Sequence, residues 1–576
     1  MDRMIENMKR SGAEFPEVEL FHVQEAATSD LTFRRASAQD LLHRGQTLDL
    51  DGQMALRLAS GEIPAMTLRL PNPSGKGDSV ELELTRVNIF AEGFTVITSS
   101  SNGQPVDYEK STHYRGTVKG APGSLAAISV LSDEVVGLYS TPEQGNFVLG
   151  RLGGDNPNNT HILYSQADMK MQNPQVCETK DDGAIIPPED LLDQGANLAG
   201  GCVRIYVEAD NDLFQNKGSV TNTVNYLTAV FNQSATLYAN DGITVSLSQV
   251  FVWDTTSPYT SSSSGTLLSQ FQSFRNSFNG DLAHLVALRG GGGIAAGFNA
   301  FCNTSTDARQ CFSGINATFS NVPTYSWTVE VFTHEMGHLM GSRHTQACVW
   351  NGNNTAIDGC AAVEGGCARP GIPTNGGTIM SYCHLTSAGI NFTLGFGPQP
   401  GALIRNRVTA APCIAGCGGG GGGGNELIVN GGFESGTSPW VFSGANLRST
   451  GSFPHSGVAY SIVVNADNTT GAEYQTISIP TGAARNLTFW LNVTSSETTT
   501  TTQFDRIFIE ARSTSGALLT TLATFSNLNK GTAGAYVQRG PFSLASFAGQ
   551  TVRIQFRATN DASLPTSFRV DDVSVR

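Results

Sequence analysis

Eleven consecutive residues, HEMGHLMGSRH from His334 to His344, constrain this chain more tightly than any other stretch. His334 and His338 stand four apart, so on a helix they lie one turn above each other and offer both imidazoles from one face. The helix must then stop. Gly341 suits a backbone reversal that a side chain would resist, and His344 returns three residues later toward the same point. Three imidazoles converging on one point suit zinc, and three protein ligands leave a fourth tetrahedral position for water. Glu335 falls beside that open position, where a carboxylate can take a proton from polarised water and pass it to a leaving group. Two blander readings compete, a helix with solvated histidines and a structural zinc site. The first needs five fixed positions to coincide by chance, and the second is normally closed by four ligands, often cysteines.

The preceding residues alternate between two periods. Val203, Ile205 and Val207 alternate as in a strand, Val220, Val224, Leu227, Phe231 and Tyr238 recur at helical spacing, and Ile243, Val245 and Leu247 alternate again. Leu267, Phe271, Phe274 and Phe278 mark a second helix before the apolar run Leu282 to Leu288. The order β, α, β, α, β predicts crossover connections and a mixed, mostly parallel twisted sheet. Val329, Phe332, Met336 and Leu339 form the apolar face of the metal-binding helix. The stretch GGGGIAAGFN, Gly290 to Asn299, has little side chain and much backbone to offer, which suits an edge strand that pairs with an extended peptide; a plain loop is the alternative.

With 576 residues the chain can hold three or four domains. Charged residues make up only 15%, while Gly, Ser, Thr and Asn abound, a balance typical of extracellular proteins. A net charge of −14 with no basic cluster argues against nucleic acid as a partner, and no apolar run is long enough to span a membrane. Of ten cysteines, Cys302, Cys311, Cys348, Cys360, Cys367, Cys383, Cys413 and Cys417 crowd around the metal motif. Such crowding predicts disulfides and an oxidising, secreted location, Cys360 with Cys367 being one plausible close pair. Free thiols in a cytosolic enzyme are the alternative. Residues 1 to 30 lack the apolar stretch of a secretory signal, so either a leader precedes Met1 or export follows another route.

The elongated motif, with GGTIMSYCH from Gly376 to His384 after it, resembles the metzincin metallopeptidases. In that family a methionine turn lies under the metal, which implies that Met380 is an apolar floor. The resemblance makes Tyr382 a candidate catalytic hydroxyl, with a packed, hydrogen-bonded tyrosine as the alternative. It also implies that the glycine-rich edge bounds a substrate cleft, with Ile294, Ala295, Ala296 and Gly297 as peptide-binding candidates. VRIYVEADNDLFQNKGSVTNTVNYLTAVF and the strand after it are similar to the reprolysin, or adamalysin-like, branch. Thr345 departs from that branch's usual aspartate and is the residue found in pappalysin-like members.

Residues 1–198 alternate in segments such as SVELELTRVNIF and SLAAISVLSDEVVGLYS, and so predict a β-rich domain. HYRGTVKGAPGSLAAISVLSDEVVGLYS resembles reprolysin propeptides, which implies an inhibitory role before activation. Cys177 is the one cysteine there and a candidate zymogen switch, since a thiolate delivered to zinc displaces the catalytic water. A disulfide from Cys177 to Cys202 is the alternative. The polar stretch from Lys180 to Gly200, with Pro187 and Pro188, is the candidate activating cleavage region.

Seven glycines, Gly418 to Gly424, predict a flexible linker between a peptidase domain at 199–417 and a module at 425–576. That module's short alternating runs predict an antiparallel β-sandwich. Its NGGFES opening and RVDDVSV ending resemble carbohydrate-binding jelly rolls, which implies a carbohydrate or surface ligand and a structural calcium, for which Glu434 and Asp572 are candidates. Trp440, Tyr474 and Trp490 could stack on sugars, although each is more often a core aromatic. The expectation is a secreted zinc endopeptidase made as a zymogen, acting on proteins or peptides. The rival is a non-catalytic adhesion protein with a similar metal domain, which would have no use for Glu335.

Overall fold

The computed structural model describes residues 1–10, 13–23, 42–73, 79–131, 134–152, 159–170, 173–192, 201–316, 325–414, 427–434, 436–437, 439–451, 453–456, 458–479 and 485–575. Met1–Ile414 and Ala415–Arg576 form two compact units. The polyglycine run and Cys417 lie outside the described residues. The chain is multidomain and β-rich, with one mixed sheet around the metal motif and mainly antiparallel sheets elsewhere.

Seven strands build the mixed sheet: β1 (Phe90–Thr98), β2 (Val176–Cys177), β3 (Cys202–Ala209), β4 (Thr244–Val252), β5 (Leu282–Ala287), β6 (Gly292–Ala295) and β7 (Gln310–Gly314). Their order is β2-β6-β7-β5-β3-β4-β1. β1, β4, β3, β5 and β7 run parallel, β6 reverses against β7, and β2 lies parallel to β6. The apolar alternation of β3 to β5 thus becomes the buried centre of the sheet. Both edges, β1 and β2, come from the N-terminal region, which the sequence alone does not suggest.

Three helices matter for the site: α1 (Val220–Asn240), α2 (Tyr325–Leu339) and α3 (Pro398–Ala410). Ser219 caps α1 by accepting from the Asn222 amide. α1 is buried along almost its whole length because one side packs on the sheet and α2 while the other faces the N-terminal region through both polar and apolar contacts, Ala229 packing against Leu131 and Val136. There the Asn232 amide donates to the carbonyls of Tyr114 and Ile128, its oxygen accepts from Arg115 Nε at 2.9 Å, and Thr228 meets the Ser111 hydroxyl at 3.1 Å.

The N-terminal region contributes a ten-stranded sheet, antiparallel except where Glu17–Glu19 lies parallel to Ala65–Leu70. The alternating segments of the sequence become its strands Val80–Val87, Leu125–Val130 and Val135–Thr141, with Leu82, Leu84, Ile128 and Tyr139 in its core. The second unit is a sandwich of two five-stranded antiparallel sheets around Phe489, Phe556, Ile554 and Phe568.

Disulfides join Cys302 to Cys413, Cys348 to Cys367 and Cys360 to Cys383. Cys360 and Cys367 are therefore not partners. Their closeness in sequence says nothing about the direction of their Cβ bonds, which decides pairing. Cys177 and Cys311 carry free thiols, and Cys202 is disulfide-bonded, which removes the Cys177 to Cys202 alternative. No helix among the described residues is long and apolar enough to cross a membrane.

Candidate metal centre

α2 carries His334, Glu335 and His338 on one side and ends at Leu339. Gly341 then turns the chain at φ +111°, where a Cβ would collide with the Arg407 side chain. The reversal brings His344 back to the helix face. His338 Nε2 lies 3.1 Å from both His334 Nε2 and His344 Nε2. Ligands at the usual zinc–nitrogen distance in a tetrahedron are about 3.3 Å apart, so the three nitrogens fit one ion.

Each ring is held by its other nitrogen. Nδ1 of His334 donates to the Ile379 carbonyl, Nδ1 of His338 to the Ser342 carbonyl, and Nδ1 of His344 to Glu364 Oε1, all at 2.8 Å. These bonds fix the tautomer that leaves each Nε2 lone pair inward. Burial, with the neighbouring imidazoles, depresses the pKa values of His334 and His338 well below the ordinary histidine range, which keeps both rings neutral and able to ligate. Met380 is fully buried below, and its carbonyl accepts from the Thr345 amide at 3.0 Å.

Cys177 completes the cluster. Its Sγ lies 3.4 Å from His338 Nε2 and 3.4 Å from Glu335 Oε2, and its sulfur groups with the three histidines as a set able to hold a metal. Glu335 is fully buried; its Oε2 also accepts from Thr179 Oγ1 at 3.3 Å, and burial pushes its pKa up to about 8. Tyr382 donates its hydroxyl to the Cys177 carbonyl at 2.7 Å, and burial raises its pKa, which keeps it a neutral donor.

The strip from Val176 to Asp182 lies across this centre. β2 pairs Val176 with Gly292 and Cys177 with Gly293, after which the Glu178 amide donates to the Gly293 carbonyl. A Cβ at Gly292 would strike the Val176 backbone, and one at Gly293 would strike the Glu335 carboxylate. Within the glycine-rich run Gly292–Ala295 is therefore a strand that admits close approach, and the residues on either side of it are loop. Of the candidate peptide-binding residues, Ile294 and Ala295 lie in β6, with the Ala295 amide donating to Thr179 Oγ1; Ala296 and Gly297 follow the strand. Asp182 pairs with Arg343, at 2.6 and 2.8 Å from Nη2. Burial opposes ionisation of Asp182, yet the Arg343 guanidinium holds its carboxyl below the ordinary range.

Glu364, Thr179, Asp182 and Arg343 were not singled out from the sequence. Glu364 lies in an irregular segment where no spacing rule applies, whereas Arg343, a charge enclosed by two ligands, was a signal that could have been read. In the second unit, Glu434 accepts from the Val458 and Ala459 amides and Asp572 from His455 and Ser456. Among the described residues neither belongs to a group of three metal-capable side chains. Trp440 is buried in the sandwich core, Trp490 is covered by the stacked His455 ring, and Tyr474 by the Arg553 guanidinium.

Residues 201–391 match the family model Reprolysin_5, metallo-peptidase family M12. No curated protein matches the chain. Among solved structures, metalloproteinase-II from Bacteroides fragilis is 10% identical over 51% of this chain and 87% of its own, with a TM-score of 0.29. The module TmCBM61 in complex with beta-1,4-galactotriose is 17% identical over 27% of this chain and 99% of its own, at 0.20. Tailspike protein 4 of bacteriophage CBA120 is 13% identical over 26% of this chain, which spans 21% of the tailspike chain, at 0.19. At such scores none of the three speaks to what this chain does.

Proposed function

We propose that this chain, whose residues 201–391 carry the family M12 metallopeptidase match, is a secreted zinc endopeptidase held latent by its own N-terminal region. The observation that carries the reading is the convergence of three Nε2 atoms and the Cys177 sulfur on one point beside Glu335. Zinc held there by His334, His338 and His344 would supply a polarised water and a Lewis acid for the scissile carbonyl. Glu335 takes the proton of the attacking water and delivers it to the leaving amine. Tyr382 is placed to donate to the carbonyl oxygen as negative charge gathers on it. The retained Glu335 favours hydrolysis over an adhesion role.

In the latent chain Cys177 fills the place that water needs. A thiol ligates metal as a thiolate, and the carboxylate of Glu335, 3.4 Å from the sulfur, is placed by distance to receive the proton released when that carboxyl is ionised. Disulfides around the site favour an oxidising compartment. The sandwich at 425–576 would serve as a module that binds a surface or carbohydrate ligand.

The test is to incubate the processed protein and its Glu335→Gln variant with a mixed peptide library, with and without a chelator. Cleavage by the parent alone, abolished by chelation, is expected. Equal cleavage by both forms, or by neither, would overturn the reading.

A further inference from the structure

The strip that covers the metal centre brings two carboxylates with it. Arg343 is 2% exposed and precedes the third histidine ligand by one residue. Its guanidinium lies 3.8 Å from the centre of the Phe298 ring, and Nη1 donates to the Gly341 carbonyl at 2.9 Å. The rest of the group is turned toward the strip. Nη2 holds both oxygens of Asp182, and Nε faces Asp181 at 3.6 Å. Among the described residues no other carboxylate lies within ion-pair reach of Arg343.

Removal of the strip would leave this guanidinium in a pocket with its aromatic contact and one carbonyl, and with Nε and Nη2 unmatched. Arginine cannot escape by losing its proton, so the pocket keeps its positive charge. A second cation reinforces it, since Arg407 reaches past Gly341 to the Phe298 carbonyl. The position is rigid, because the turn at Gly341 and the ligand His344 bracket Arg343 on both sides. A fixed planar fork with two free donors selects a carboxylate over a neutral amide by charge and by matching geometry.

The geometry points to Arg343 as a specificity-determining residue of the mature peptidase. It takes substrates that place an aspartate or glutamate side chain where Asp182 lies in the latent chain, a few residues along the cleft from the metal. Asp182 is then a substrate-like plug in a subsite, and Cys177 the plug at the metal. This inference rests on the peptidase reading above.

Peptide pairs that differ only by Asp or Asn, and by Glu or Gln, at each position around the scissile bond provide the test with processed protein. At one position the acidic peptide should show kcat/KM about tenfold or more above its amide twin. Arg343→Gln should bring that ratio toward one, and Arg343→Glu should shift the preference at that position toward lysine. Cleavage with no acidic preference at any position overturns the Arg343 assignment and leaves the peptidase reading standing, whereas no cleavage of any peptide brings down both. The parent peptide pairs decide the matter even where a variant does not fold.

Discussion

The Tyr382 hydroxyl bridges Cys177 and His344, donating to the Cys177 carbonyl at 2.7 Å while standing 3.3 Å from His344 Nε2. On the peptidase reading the Cys177 carbonyl stands where a substrate carbonyl would accept the same hydroxyl. Tyr382→Phe removes one neutral donor from that place. In processed protein kcat should fall by about a hundredfold with a much smaller change in KM, as for loss of a contact made mainly in the transition state. Steady-state kinetics on one peptide read this directly; equal kcat would return Tyr382 to a packing role.

Cys177→Ala should leave the unprocessed chain measurably active. The neighbouring Asp182 to Arg343 pair still holds the strip down, so a gain of about tenfold over the unprocessed parent is expected rather than full activity. Peptide cleavage with intact chains, verified by mass at the end of the assay, distinguishes this from processing. No gain would mean that the sulfur does not hold the site shut.

Glu364 accepts from Nδ1 of His344 at 2.8 Å and so orients the ring. Glu364→Ala should weaken zinc binding about 10- to 100-fold, read by competition with a chelator of known affinity. An unchanged affinity would show that the ring is fixed by the Trp350 contact to the His344 carbonyl instead.

The candidate cleavage region is not uniformly accessible. Ile186 and Leu191 are buried with Val349, Trp350 and Leu403. A protease needs several extended residues, so the activating cut should not fall among these anchors; positions 193–200 of the candidate region lie outside the described residues. N-terminal sequencing of the active form checks this, and a start within 181–191 would contradict it.

Glu473 sits fully buried in the sandwich, accepting from Asn446 Nδ2 at 2.9 Å and from the Ser461 hydroxyl, and burial raises its pKa to about 7. The unfolded value is about 4.3, so the folded form binds the proton more tightly. Its stabilisation is present in full below pH about 4, fades as pH rises toward about 7, and is absent above that. Glu473→Gln should flatten this decline, so that the sandwich transition of the variant loses less stability than the parent between pH about 4.5 and about 7.5. Thermal unfolding across pH measures it.

Local patterns carried much of this in the sequence. The spacing of His334, His338 and His344 is fixed by helix geometry and one glycine turn, and the strands at Val203, Val245 and Leu282 show their period over a few residues. Contacts made across long separations were not legible. β1 lies more than a hundred residues before β4, and nothing in FAEGFTVIT says which sheet it joins. The same holds for Glu364 under His344 and for the Cys348 to Cys367 pairing, where the direction of a bond and the path of an irregular loop decide the partner.

The continuous sheet also shapes the kinetics of release. β1 is zipped to β4 from Leu247 with Phe90 to Val252 with Thr98, so on the zymogen reading a cut between the two regions would leave the fragment paired to the sheet. The nicked molecule would then be a complex of enzyme and inhibitor. Its activity then depends on how fast the fragment peels off, on dilution, and on whether a second cut destroys the fragment before it rebinds. Once the fragment has gone, β4 and β6 both stand as open edges. On the peptidase reading β6 would receive substrate, and β4 would offer the same invitation to any neighbouring strand.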